Sequence, residues 1–357
     1  MVHLILGTAV LLSLGERKRR EWLLISCCLL FAFAALRWQY GNDYENYRQV
    51  FQSMAAGEPS PYPELGFGLL MKLCPSFFSF QALTSLILVG AAWAITTCWA
   101  PRGYGWVGLA LFVLNPYLFL MNLSAIRQSI ALCLFVAAVA FGLKRKILGF
   151  CLCIGLAGCF HTSALFLLPV YFLLGKRDSK QGKICLLLLG LALLLAVDFV
   201  SPICEMLEKL ELWEYAAYVR AGRTNSLRAT VLTGILFCYV LGNLPKLRGR
   251  DAVLGRLYLL GLALGLLAFR LSLLTRVQMY FDIFALAVVP AILEKNRGPL
   301  ELCPGRPLMN FGRILDRYAF PALVFLIFAL RYYAFFTNPM WESFFRYQTI
   351  FTPLLGG

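Results

Sequence analysis

Apolar runs too long and too poor in charge for a soluble core recur along the whole chain. They lie at about residues 2–14, 22–36, 77–99, 104–121, 127–143, 147–160, 162–174, 184–203, 229–244, 257–273, 276–293 and 318–335. In hydrocarbon every backbone N–H and C=O must be bonded within the protein, which leaves helices or closed barrels. The alternating strand pattern of a barrel is missing, so helices are expected. The expected fold is all-α: one polytopic membrane domain over residues 1–357 with about 11–13 transmembrane or half-membrane helices. Several runs are shorter than the roughly 20 residues of a straight span and point to broken or re-entrant segments. Composition agrees, with 60% hydrophobic and 14% charged residues, against about 25% charged in soluble domains.

A net charge of +15 invites a nucleic-acid reading, but the basic residues sit in short clusters between apolar runs, as topology signals do. With the N-terminus placed outside, the loops at 15–21, 100–103, 144–146, 175–183, 245–256 and 294–317 fall inside and hold 21 of the 33 Lys and Arg residues. Val2–Leu14 is followed by the basic run Arg17–Arg20. That order reverses a signal peptide's, so a retained helix is expected. Two sizeable outer loops remain, at about 37–75 and 204–228. Most of the twelve cysteines lie in apolar runs without CxxC spacing, and only two histidines exist. Small buried hydrophobes are expected there, with no metal site.

Lysine and arginine are distributed differently. Eight of the ten lysines fall inside, whereas the outer side carries Arg37, Arg48, Arg127, Arg220, Arg223, Arg228, Arg270, Arg276, Arg331 and Arg346. A guanidinium keeps its charge and offers a rigid donor fork matched to phosphate oxygens. An anionic partner at that face is one reading; snorkelling to lipid headgroups is the other, most of all for Arg37, Arg331 and Arg346. Arg127 opens a helix in NLSAIRQSIALCLF, where the helix terminus adds positive potential. Arg270 and Arg276 bracket a second outer corner. These three could converge on a pyrophosphate, or pair with headgroups, Asp198 and Asp282.

In RWQYGNDYENYRQVF, Asp43, Tyr44 and Tyr47 share helical spacing, and Glu64 heads a short apolar segment in YPELGFGLL. A carboxylate at the lip of a half-buried helix can act as a base toward a hydroxyl, with aromatics stacking on sugar faces. Helix capping is the plainer role for Asp43 and Glu64. His161, in CFHTSALFLLP, falls where one short helix ends and the next begins, at the outer surface. Glu205, Glu208, Glu211 and Glu214 recur every three residues, as in an amphipathic helix with a solvated acidic stripe; Arg220 and Arg223 follow it as a plausible wall for a polar ligand.

The segments GNDYENYRQVF with YPELGFGLL, NPYLFLMNLSAIRQSIALCLFVAAVAFGLKRKILGF, FHTSALFLLPVYFL and TRVQMYFDIFALAVVP together resemble the EpsG type of Wzy-like polysaccharide polymerases, in the same order from about Tyr40 to Pro290. The resemblance implies a GT-C-like helical bundle in the bacterial inner membrane, with its active site facing the periplasm or cell exterior. The implied reaction extends O-antigen, capsule or exopolysaccharide. A glycan on undecaprenyl pyrophosphate passes to the terminal sugar of a second lipid-linked repeat, and the carrier pyrophosphate is released. Under that reading Arg127, Arg270 and Arg276 would clamp pyrophosphate, with Arg220 and Arg223 as second choices. Tyr44, Tyr47 and Tyr280 would line the sugar or pyrophosphate site. Glu64, Asp43 or His161 would serve as base, with no cofactor and no metal. The implied partners are lipid-linked oligosaccharides and membrane lipid, with a chain-length regulator and a flippase as further candidates, and no nucleic acid. Rival classes are a flippase or transporter and another membrane transferase, either an O-antigen ligase or an acyltransferase. A transporter predicts charges deep in several helices and two related halves; no internal repeat is evident.

Overall fold

The computed structural model describes residues 1–175, 205–206, 208–211, 213, 227–269, 274–297, 312 and 314–352. The architecture is helical, with one two-residue antiparallel pairing between β1 (Arg37–Trp38) and β2 (Gln348–Thr349). Four helices among the described residues are long and apolar enough to cross a membrane: α5 (Phe77–Cys98), α8 (Ile126–Leu143), α10 (Leu227–Asn243, with its short extension to Lys246) and α14 (Phe320–Thr337, preceded by a turn from Arg317). A fifth span is broken, α12 (Leu274–Asp282) and α13 (Ala285–Asn296) meeting at a 51° bend. Shorter apolar segments are α2 (Glu21–Ala35), α6 (Gly105–Leu114), α9 (Ile147–Gly158) and a 3-10 helix, Thr162–Leu174, which contains Pro169. The chain is therefore an all-α multi-pass membrane protein.

The remaining helices are α1 (Val2–Ser13), α3 (Tyr44–Ala55), α4 (Leu65–Leu73), α7 (Leu120–Ser124) and α11 (Gly249–Leu267). Helix α8 packs against α9, α5 and the 3-10 helix; α11 packs against α12 and α10; α13 rests on α6. Phe135 of α8 meets Tyr280, Phe281 and Phe284 edge-on where those groups join. Large apolar side chains such as Leu148, Leu152, Phe166 and Phe172 point outward, as hydrocarbon contact allows. A bundle in lipid has no water to hide from on its flanks.

Two segment boundaries differ from the apolar pattern. The run 104–121 stops being helical at Leu114, before Asn115 and Pro116, because proline lacks an N–H and restricts the residue before it. Helix α11 begins at Gly249 rather than near 257, because its polar first turns, with Arg250, Asp251 and Arg256, are helical outside the apolar run. The cysteines also depart from expectation: Cys27 is buried, but Cys28, Cys98, Cys151, Cys159 and Cys238 are exposed on the bundle surface. A thiol is apolar enough to face lipid without cost. The apolar run 184–203 lies outside the described residues.

Three charged residues take unexpected places. Arg37 does not snorkel; it is 2% exposed and donates to the Ala34 carbonyl, to Ser85 Oγ at 3.1 Å and to the Leu123 carbonyl at 3.2 Å. It ties the C-terminal turns of α2 and α7 to the Ser85 hydroxyl inside α5. Arg331 donates to Thr233 Oγ1 at 2.9 Å within the bundle. Asp282 accepts from Gln278 Nε2 at 2.9 Å and lies in the field of Arg331, not of a corner arginine. In a membrane interior such groups survive only with partners.

Candidate active site

One end of the bundle carries the 37–75 loop, the start of α8, the corner between α9 and the 3-10 helix, and the start of α12. The loop enters through Gly41, whose φ of +106° and close approach to Ser124 Oγ leave no room for a Cβ. It then forms α3, whose Tyr47 and Met54 pack with Phe67 and Met71 of α4, Phe80 of α5, and Ile126 and Ile130 of α8. This small apolar cluster seats α3 and α4 on the first turns of α8. It decides which polar groups meet above it.

Asp43 and Glu64 each occupy the residue before a helix, yet neither side chain makes a capping hydrogen bond. Glu64 instead turns its carboxylate to Arg127, with Nη1 to Oε2 at 2.8 Å. Glu64 is only 6% exposed, while about 30% of the Arg127 side chain is open. The guanidinium lies 4.2 Å from the centre of the Tyr62 ring, and the Tyr47 hydroxyl is near enough to interact with its charge. Tyr62 in turn accepts from Asn46 Nδ2 at 3.0 Å. Arg127 is thereby fixed by a carboxylate and an aromatic face, with part of its five-donor fork still open.

The third member arrives through backbone. The Gly66 N–H at the start of α4 donates to the Cys159 carbonyl at 2.9 Å, where a Cβ would sit 2.9 Å from that same oxygen. Glycine permits this approach, which brings Glu64 beside the corner at His161. The His161 Nδ1 stands 3.8 Å from Glu64 Oε1 and has no hydrogen-bond partner. Burial lowers the His161 pKa below the usual imidazole value, and Arg127 and Arg276 push the same way while Glu64 opposes them. The ring is neutral and can accept a proton. Burial also raises the Asp43 carboxyl against the pull of Arg127, and holds the Tyr47 hydroxyl at about 12.

Arg276, exposed in the first turn of α12, is near enough for its charge to act on His161. Two polar contacts hold α12 there. Gln128 Nε2 donates to the Arg276 carbonyl at 2.6 Å, and Ser163 Oγ meets the Tyr280 hydroxyl at 3.1 Å.

Of the sequence candidates, the structure thus gathers Asp43, Tyr47, Glu64, Arg127, His161 and Arg276 at one place. Tyr44 is not among them: its ring is buried edge-on to Phe77 and Trp38, on the side of α3 that faces α5. Tyr280 is wholly buried and touches Ser163 and Phe135, so it supports the corner and does not line an open surface. Both rings are taken up by packing in this structure. Arg220, Arg223 and Arg270, together with Glu214 and Asp198, lie outside the described residues. Tyr62, Asn46, Gln128 and Ser163 enter the sequence reading only within the family-like segments, without a role. Tyr62 sits in a proline-punctuated stretch without periodicity, and Gln128 and Ser163 carry a signal only as neighbours of Arg127 and His161. Among the described residues, no group of three His, Cys, Asp or Glu side chains is placed to hold a metal ion.

The family model described as EpsG family matches residues 21–299. No curated protein matches the chain, and no solved structure does.

Proposed function

The chain belongs to the EpsG family, which makes it a membrane protein of polysaccharide-polymerase type, and on that premise we propose that it polymerises undecaprenyl-pyrophosphate-linked repeat units at the outer face of a bacterial inner membrane. The observation that carries the reading is the Glu64–Arg127–His161 cluster with Arg276 beside it. It offers a proton acceptor and two cations at one rim of the bundle.

In the proposed step a hydroxyl oxygen of the acceptor sugar attacks the anomeric carbon of the donor glycan. The bond from that carbon to the pyrophosphate oxygen breaks, and the leaving oxygen takes the electron pair. The hydroxyl proton passes to His161 Nε2, while Nδ1–H faces the Glu64 carboxylate, which fixes the tautomer and stabilises the imidazolium. The 3.8 Å separation would tighten in the loaded site, as resting catalytic contacts commonly do. Arg127 and Arg276 meet the charge that grows on the leaving pyrophosphate; preorganised cations placed there lower the barrier. Tyr62, held by Asn46, borders the cluster and offers an aromatic face to a sugar ring.

Deleting the gene and resolving the surface glycan on a gel tests the reading: chains stopped at one repeat are expected. Loss of all lipid-linked repeats from the outer leaflet would mean a flippase and would overturn it. In the complemented strain, Arg127→Ala or Arg276→Ala should abolish long chains at normal protein level. Wild-type chain lengths would remove these residues from the site.

A further inference from the structure

We propose that Gln128 is a positioning residue that places Arg276 for its anion, with Ser163 and Tyr280 completing the same device; the inference rests on the pyrophosphate role given to Arg276 above. Helix α12 is nine residues long and ends at a 51° bend. Two and a half turns of helix have little hold on their own orientation in a membrane interface. Packing on α11 seats its buried side; at the site end, polar contacts must fix where its exposed arginine stands.

The fixing contacts are specific. The Arg276 carbonyl and the Tyr280 side chain lie four residues apart, hence one above the other on α12. The lower group is held by Ser163, two residues after His161, and the upper by Gln128, one residue after Arg127. Gln128 is 6% exposed, and its only described hydrogen bond is the 2.6 Å contact to the Arg276 backbone. A buried amide aimed across to another helix's carbonyl makes a rigid strut. The two elements that carry Arg127 and His161 therefore also set the register of α12. Arg127, His161 and Arg276 thus share one frame, and loss of the strut lets α12 carry Arg276 away from Arg127. Neither Gln128 nor Tyr280 needs to touch the ligand.

The test uses full-length protein in detergent and inorganic pyrophosphate as probe, reading the pyrophosphate concentration that half-saturates thermal stabilisation. Gln128→Met keeps side-chain length and loses the donor; it should weaken pyrophosphate about five- to tenfold, the scale of one buried hydrogen bond. Arg276→Ala should weaken it at least as much. The double variant should be no weaker than Arg276→Ala alone, because Gln128 acts through that residue. Additive losses, or unchanged pyrophosphate binding in Gln128→Met, would overturn the proposal. Tyr280→Phe, which removes one hydroxyl from a packed ring, should give the same non-additive pattern should Gln128→Met accumulate poorly. Polymer ladders from cells carrying the same variants separate the two claims. A wild-type protein that binds pyrophosphate through Arg276 yet makes no polymer sinks the polymerase reading and leaves the strut standing.

Discussion

Replacing Glu64 by Gln removes one charge from the cluster while keeping its shape. At 2.8 Å the attraction between Glu64 and Arg127 is about 6 kcal/mol at an effective dielectric near 20. Little of that appears as stability. Arg127 is 30% open to solvent and rehydrates, and the amide oxygen of Gln still accepts from Nη1. A net loss of about 1–2 kcal/mol is expected, the usual worth of a hydrogen bond to a charged group after such compensation. Activity should fall much further. If the carboxylate orients and stabilises His161 as proton acceptor, about 10²- to 10⁴-fold is at stake, equal to roughly 3–5 kcal/mol of barrier. The assay is the glycan ladder in a deletion strain, normalised to membrane-inserted protein, beside the melting curve of the purified variant. A wild-type ladder, or a ladder reduced only in proportion to protein level, would refute the reasoning.

The acid limb of activity should lie below the ordinary imidazole value of about 6.5, since burial and both arginines favour neutral His161. Arg276→Ala removes a cation that lowers this pKa, so any residual limb should move to higher pH; Glu64→Gln removes the opposing carboxylate and should move it lower. Polymerisation by isolated membranes between about pH 5 and 8 reads both shifts, and movement in the opposite directions would contradict the geometry. The same sign applies to stability: neutral His161 contributes fully above its unfolded pKa, and that contribution is lost as pH falls through the folded value. Gly66→Ala places a Cβ 2.9 Å from the Cys159 carbonyl oxygen, which must part α4 from the His161 corner. A stability loss of about 1–3 kcal/mol is expected, with polymer loss larger than Glu64→Gln causes through stability alone. Melting curves and ladders of this variant check it.

The apolar runs and their spacing dictate the helical class, because a backbone in lipid has no other way to satisfy its hydrogen bonds. They also mark α5, α8, α10 and α14 closely. The same signal misplaces the ends of α6 and α11, where Pro116 and the polar first turns around Arg250 and Asp251 depart from a smooth apolar average. Residue type made Arg127, His161, Glu64 and Asp43 candidates. A guanidinium, an imidazole and a carboxylate beside hydrocarbon are costly enough to ask for a reason.

Their partnership is another matter. Glu64 and Arg127 stand 63 residues apart, and Gln128 and Arg276 stand 148 apart; no periodicity encodes such pairs. Whether an arginine snorkels, as Arg37 was expected to, or ties two helix ends to a third helix, as it does, depends on which acceptors the fold places nearby. Tyr44 and Tyr47 differ by three residues on one helix, yet the first packs against Trp38 and Phe77 while the second lies in the field of Arg127. The sequence by itself determined that this chain must be a helical membrane protein with polar groups gathered at its loops. Only the tertiary structure decided which of those groups face one another, because distance, and not order along the chain, sets the strength of an ion pair.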